Sequence, residues 1–296
     1  MALIGLLAAI LLLMPITGLA AEMVVLGKDH MVEQGENLLD LARANGLGYV
    51  EIVAANPGVD PWIPAAGTRI LLPVDHVVPP APRRGIIINV ADMRLYFHGD
   101  GATQPISFPV GIGKEGWTTR ASISRVVGKR KDPTWYVPPS VRAERPELPP
   151  VVAPGPDNPL GRYSLDLDAS SIRIHGTNRP DGVGRRVSHG CFRLYPEDIE
   201  RLYPLVAVGT PVTVIDRPAK LAWIEDDLYL EIHPSPTQAD DIETHWRLSV
   251  EPLPGLDDLV TQAAAGRLER IDWDMVALAQ AERRGMPVRI TTRPTP

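Results

Sequence analysis

A cluster of prolines divides this chain and limits what it can fold into. Pro73, Pro79, Pro80 and Pro82 crowd the stretch from 73 to 82. Each proline fixes its own φ and removes a backbone donor, so this stretch reads as a stiff, extended linker. It sets a small N-terminal unit (30–73) apart from a larger central one (84–216), with 74–83 between them. A second change near Pro218 follows the strand-like Pro211-Val212-Thr213-Val214-Ile215 and opens a C-terminal segment, 217–296. A hydrophobic content of 44% is that of an ordinary globular protein, and 296 residues suit two or three units.

Residues 1–21 carry no charge and are rich in Leu, Ile and Ala. Gly18 and Ala20 suit the small-residue positions of a signal-peptidase site, so residues 1–20 read as a secretory signal peptide. No basic residue precedes the apolar run, which leaves an uncleaved anchor as the alternative. Either way the rest lies outside the cytoplasm. The net charge of −6 is mild, and the basic cluster Arg120, Arg125, Lys129, Arg130 and Lys131 is too local for a nucleic-acid footprint.

The N-terminal unit has a βααβ pattern. A short strand at 31–33 leads to a turn whose Asn37 caps a helix. A second helix, 49–55, stops at Asn56-Pro57, because a residue before proline avoids the helical region. A closing strand runs through 67–73. Val32-x-x-Gly35-x-x-Leu38, Asn56-Pro57 and Gly67-Thr68-x-Ile70-x-x-Pro73 together resemble a LysM module, which implies binding to the glycan strand of peptidoglycan.

The central unit reads as mostly β. Residues 85–90 and 93–97 look like paired strands across Ala91-Asp92. Further strands are expected at 106–113 and 121–128, and a helix at 196–205. The 138–159 stretch is too proline-rich for a regular element and has the length of an active-site lid. A short strand, 171–174, delivers His175 at its end. The C-terminal segment reads as a strand at 228–233 followed by helices at 256–264 and 272–284, with no catalytic constellation.

The chemistry gathers around Ser188-His189-Gly190-Cys191-Phe192-Arg193. Cys191 is the only cysteine, so in an exported protein it is either an inert buried residue or a free reactive thiol. His189, Gly190 and Arg193 argue for the second. A thiol needs a base or a cation to become the thiolate nucleophile, and His175 and His189 are both available. Gly190 permits unusual backbone dihedrals, and the amides of Gly190 and Cys191 can face an oxyanion. These parts specify acyl transfer through a thioester. Two histidines and one cysteine also suit an open zinc site, but His-x-Cys is a poor spacing for a tetrahedral ion. No cofactor or metal is called for.

Ile174-His175-Gly176-Thr177 with Ser188-His189-Gly190-Cys191-Phe192-Arg193-Leu194 resembles the signature of the L,D-transpeptidase catalytic domain, the YkuD family. Pro133-Thr134-Trp135-Tyr136-Val137-Pro138 and Gly155-Pro156-Asp157-Asn158-Pro159-Leu160-Gly161 support it. One departure, Trp117-Thr118-Thr119-Arg120-Ala121 in place of a Thr-Pro-x-Gly turn, lies away from the cysteine segment. The resemblance implies a mainly β, sandwich-like catalytic domain, preceded by the βααβ module and followed by an α+β segment. It implies that Cys191 attacks the meso-diaminopimelate carbonyl of a tetrapeptide stem, releasing D-alanine. The acyl group then passes to a second stem, as a 3→3 cross-link, or to a lysine of an outer-membrane lipoprotein. In that scheme His175 is the base, and His189 and Ser188 orient groups. Arg193 binds a substrate carboxylate or makes an internal salt bridge, and Tyr163 and Trp135 line the cleft. A hydrolase of the same bonds and a non-catalytic wall-binding scaffold are the rival functions.

Overall fold

The computed structural model describes residues 27–117, 119–168 and 172–292; the leader at 1–20 lies outside them. At the N-terminus β1 (Lys28–Met31) leads to α1 (Leu38–Ala44), α2 (Tyr49–Ala55) and β2 (Arg69–Leu72), and the two strands pair antiparallel. Asn37 caps α1 by accepting the Asp40 amide at 2.8 Å. The amide of Gly48, the N-cap of α2, donates to Glu51 Oε2 at 2.8 Å. Asn56, where α2 stops, donates from Nδ2 to Leu71 O at 2.8 Å and accepts the Leu71 amide at 2.7 Å. One side chain thus ends the helix and fixes the return strand.

The central unit begins with β3 (Gly85–Asn89), β4 (Arg94–His98), β5 (Ile106–Pro109), β6 (Ile112–Gly113) and β7 (Ser122–Lys131). A short ribbon follows: β8 (Trp135–Tyr136), α3 (Pro139–Glu144) and β9 (Val151–Val152). Then come β10 (Tyr163–Leu167), β11 (Arg173–His175), β12 (Arg186–Ser188), β13 (Phe192–Arg193), α4 (Pro196–Leu202) and β14 (Pro211–Ile215). The proline-rich stretch therefore holds regular elements after all. Pro139 sits in the first turn of α3, where its missing amide costs nothing, and β9 pairs with β8.

Eight strands form one mixed sheet in the order β13-β11-β10-β7-β14-β3-β4-β5. The first part of β7 (122–125) pairs with β14 and the remainder (126–131) with β10. One long strand is thus shared by two halves of a curled sheet, rather than two separate sheets stacking as a sandwich. At the C-terminus, β15 (Ala219–Ile224) and β16 (Asp227–Ile232) lead to α5 (Pro236–His245), α6 (Leu256–Ala264), α7 (Trp273–Glu282) and β17 (Val288–Arg289). The strands make a three-stranded antiparallel sheet with its own core of Leu228, Leu230, Val260, Val276 and Ile290.

The units are not beads on a string. Leu38 and Ile52 of the N-terminal unit, Ile88 and Leu95 of the sheet, and Ile242 of α5 belong to one continuous core. The start of α2 lies directly on the catalytic unit: the amides of Tyr49 and Val50 donate to Val183 O and Gly184 O at 3.2 and 3.1 Å. A Cβ on Gly48 would sit 2.7 Å from the Gly184 Cα, and one on Gly184 2.3 Å from the Gly48 Cα. Only glycine at both positions permits this approach.

The proline-rich connection is drawn in as well. It carries no regular element, yet Val77 is buried and the His76 side chain is only 6% exposed. Around them lies a largely buried charge network. Lys220 Nζ is 2.8 Å from Asp92 Oδ2 and 2.7 Å from Glu231 Oε1. Tyr96 donates to Asp92 at 2.8 Å, and His233 Nε2 lies 2.7 Å from Glu231. Arg94 pairs with Glu51 at 2.9 Å. His76 stands between Glu51 (3.3 Å) and Glu231 (3.6 Å), and the Val77 amide donates to Glu231 at 2.5 Å. Every unit supplies at least one member.

Breaking such a pair on one side leaves a buried charge uncompensated, which costs about 3–5 kcal/mol. Lys220→Met is predicted to lower unfolding free energy by that amount in urea melts; a loss within error of zero would show the network to be incidental. Although burial opposes it, the Lys220 charge holds Asp92 and Glu231 below the usual carboxylate range. Their stabilisation is therefore complete above the unfolded carboxylate pKa of about 4 and lost as pH falls toward the folded values. The slope of stability against pH in acid should shrink in Lys220→Met.

Candidate active site

Strands β11 and β13 run parallel, with Ile174 opposite Phe192 and His175 opposite Arg193. Ile174 and Phe192 are fully buried in the core. Side chains alternate along strands, so Arg173, His175, Cys191 and Arg193 share the other face. On β10, Ser164 stands opposite His175 and Asp166 opposite Arg173, completing that face. Asp166 accepts from Arg173 Nε at 2.8 Å and Arg130 Nε at 2.5 Å.

His175 is 4% exposed, and its Nδ1 lies 2.6 Å from Gly176 O. A carbonyl only accepts, so Nδ1 carries the hydrogen and Nε2 keeps its lone pair. Burial, assisted by the Arg193 charge, pushes the imidazole down to about 3. Burial also pushes the Cys191 thiol up, outweighing a hydrogen bond from the Arg173 backbone and the charges of Arg173 and Arg193. Both shifts favour a neutral thiol and a neutral imidazole over a preformed ion pair.

The cysteine turn is held from within. Ser188 is buried; its Oγ donates to Cys191 O at 2.6 Å and accepts the Gly190 amide at 3.1 Å. Gly190 has φ +98°, a left-handed value that side chains resist. The Gly190 amide, expected to face an oxyanion, is instead engaged by Ser188. Ser188 is therefore a turn former.

His189 reaches toward α3. Its Nε2 is 3.0 Å from Glu144 Oε2, and the Trp117 ring meets it edge-on at 4.9 Å. Glu144 also accepts from Lys114 Nζ at 2.7 Å and Trp117 Nε1 at 3.2 Å. Those partners, Lys114 first and His189 next, hold its carboxyl down at about 2. Thr119 Oγ1 donates to Gly190 O at 3.5 Å. Trp117 and Thr119, distant in sequence, therefore pack on the cysteine turn rather than away from it.

The remaining candidates separate. Arg193 is half-buried; its Nε has no hydrogen-bond partner, and no carboxylate lies within ion-pair distance among the described residues. The internal salt bridge is not formed. Tyr163 lies on the opposite face of the sheet, its ring 4.7 Å from Tyr203, because it is one residue out of phase with Ser164. Trp135 is on β8, paired with Val152 in the ribbon that carries α3. Glu144, Lys114, Asp166 and Arg173 escaped notice in the sequence. Only Arg173 carried a signal there, two residues before His175 on an alternating strand. A cavity of about 240 Å³ lies between Ile112, Thr119, Arg186 and Arg283, and Cys191 does not line it.

A half-buried thiol and an imidazole of fixed tautomer on one face of a curled β domain fit a cysteine acyltransferase. Residues 83–214 match the YkuD family, the L,D-transpeptidase catalytic domain. The chain is 34% identical to "Probable L,D-transpeptidase YcfS" of Escherichia coli K12 over 290 residues, 93% of this chain and 87% of that protein. It is 37% identical to YbiS of the same strain, also named a probable L,D-transpeptidase, over 82% of this chain and 80% of that one. The chain belongs to the L,D-transpeptidase family. The NMR structure of the E. faecium L,D-transpeptidase catalytic domain aligns with a TM-score of 0.36 at 22% identity, over 46% of this chain and 99% of that one.

The two shifts predict how the free enzyme reacts. Alkylation of Cys191 by iodoacetamide should rise with an apparent pKa above that of a free thiol, about 8.5. A plateau of full reactivity at neutral pH would instead reveal a resting thiolate–imidazolium pair.

Proposed function

We propose that the protein is a periplasmic L,D-transpeptidase that acylates Cys191 with a peptidoglycan tetrapeptide stem and passes the acyl group to an amine. The observation that carries this reading is His175. Its Nδ1–H is fixed on Gly176 O, so Nε2 is the basic atom, on the face it shares with Cys191.

Cys191 Sγ attacks the diaminopimelate carbonyl, and its proton passes to His175 Nε2. As the S–C bond forms and the C–N bond breaks, that proton moves to the nitrogen of the departing D-alanine. An acceptor amine then attacks the thioester; its proton reaches the leaving sulfur through His175. The Arg193 guanidinium, with Nε unpartnered and no carboxylate at ion-pair distance among the described residues, suits a carboxylate of the donor stem. The βααβ unit is assigned the role of a LysM module on the glycan strand, and residues 217–296 that of an accessory segment. A second stem or a lipoprotein lysine is the acceptor.

Purified protein should release D-alanine from a tetrapeptide muropeptide and form an amide-linked product, read by mass spectrometry; Cys191→Ala should give neither. Equal product from both proteins would sink the assignment, and free tripeptide as the sole product would make the enzyme a hydrolase. Arg193→Gln should raise KM for the stem about 10–100-fold, the worth of one charge-assisted hydrogen bond of roughly 1.5–3 kcal/mol. An unchanged KM removes Arg193 from substrate binding.

A further inference from the structure

We propose that Glu144 is the docking group for the cationic amine of the acyl acceptor, and that Lys114 occupies this place in the resting enzyme. The proposal rests on the transpeptidase reading.

Glu144 closes α3, and its carboxylate is met only by N–H donors: Lys114 Nζ at 2.7 Å, His189 Nε2 at 3.0 Å and Trp117 Nε1 at 3.2 Å. His189 stands two residues before Cys191 in the catalytic turn. Lys114 is anchored to the same turn, its amide donating to Ser188 O at 2.9 Å. A carboxylate is therefore held at the edge of the nucleophile's own loop. What it holds is a primary ammonium on a flexible alkyl stem, the same chemistry as the side-chain amine of diaminopimelate or lysine.

The pair is built to exchange. The side chains of Lys114 and Glu144 are each 39% exposed, and exposed ion pairs hold only loosely. Lys114 can leave for solvent while an acceptor ammonium takes its place. Trp117, edge-on to His189, offers an apolar wall to the acceptor's methylenes. The charge sorting around Cys191 agrees. Arg193, on the far side of the thiol in sequence and influenced by Arg179 and Asp181, is a cation with no carboxylate at ion-pair distance among the described residues, and it suits a donor carboxylate. Glu144 is an anion suited to an acceptor amine. Two substrates of nearly the same composition are thereby told apart by the charge each presents.

The step balances. The docked ammonium gives one proton to solvent. The amine nitrogen then bonds the thioester carbon, the C–S bond breaks, and the second proton passes through His175 to Sγ.

The test uses the full chain, a tetrapeptide stem as donor and a diaminopimelate stem as acceptor, with donor and acceptor KM measured separately. Glu144→Gln should raise the acceptor KM about five- to tenfold, leave the donor KM in place and divert thioester to hydrolysis. Lys114→Met should lower the acceptor KM, because the internal competitor is gone. If Glu144→Gln moves both KM values together, Glu144 merely latches α3. A higher acceptor KM in Lys114→Met also overturns the proposal. Carbapenem acylation, followed by intact mass on each variant, keeps the two readings apart: its absence from wild type condemns the transpeptidase reading itself.

Discussion

Lys220 is a fully buried ammonium, and the arrangement of the units depends on how its charge is met. An isolated ammonium in a dry interior costs several kcal/mol, so two carboxylates and a phenol must come to it from different parts of the chain. Asp92 and Tyr96 arrive on the β3–β4 hairpin, and Glu231 on β16. Glu231 in turn draws in His233, His76 and the Val77 amide, and His76 leads to Glu51 and Arg94. Apolar contacts alone would tolerate small slides between units. A network in which each member answers another's charge does not, because any displacement strands a buried ion. The relative placement of the βααβ unit, the catalytic sheet and the C-terminal segment follows from that intolerance.

Electrostatics of another kind governs the catalytic face. Burial works against charge on both Cys191 and His175, so both groups favour their neutral forms. A neutral thiol is slower to react with adventitious oxidants and disulfides than a thiolate. On the proposed reading, the ion pair forms only as substrate arrives and the proton moves to Nε2. Ser188 and Gly190 fix the nucleophile by tying the turn to itself, and the hydrogen bond to Gly176 O fixes the tautomer of the base. Precision comes from backbone geometry, whereas charge is produced on demand.

Local signals made much of this legible in the sequence. Asn37 as a cap, Asn56-Pro57 as a stop and His175 at a strand end each depend on a few neighbouring residues. The lone cysteine beside glycine and histidine carried the chemistry by itself. What escaped the sequence depends on long-range contacts. Glu144 sits in a proline-rich stretch that looked irregular, because proline's tolerance for a first helical turn is easily overlooked. Trp117 meets His189 only through the fold. Tyr163 fell on the wrong face because strand phase is set by Ser164, a residue with no obvious signal. The connection at 74–83 is rich in proline, but composition cannot reveal that Val77 and the His76 side chain pack in against Glu51 and Glu231.

That burial changes how the N-terminal unit would serve the cysteine. A module on a free tether raises the effective concentration of its polymer near the site, and any stem within reach can react. Here the Gly48–Gly184 contact, the shared core and the charge network hold the module in one position on the catalytic unit. On the reading that it grips a glycan strand, stems emerging at one offset along that strand are presented to Cys191, and the others are not. Binding energy gained at the module is then spent on orientation, an entropy already lost before the thiol attacks. A rigid junction selects which stem reacts, where a flexible one would only speed the encounter.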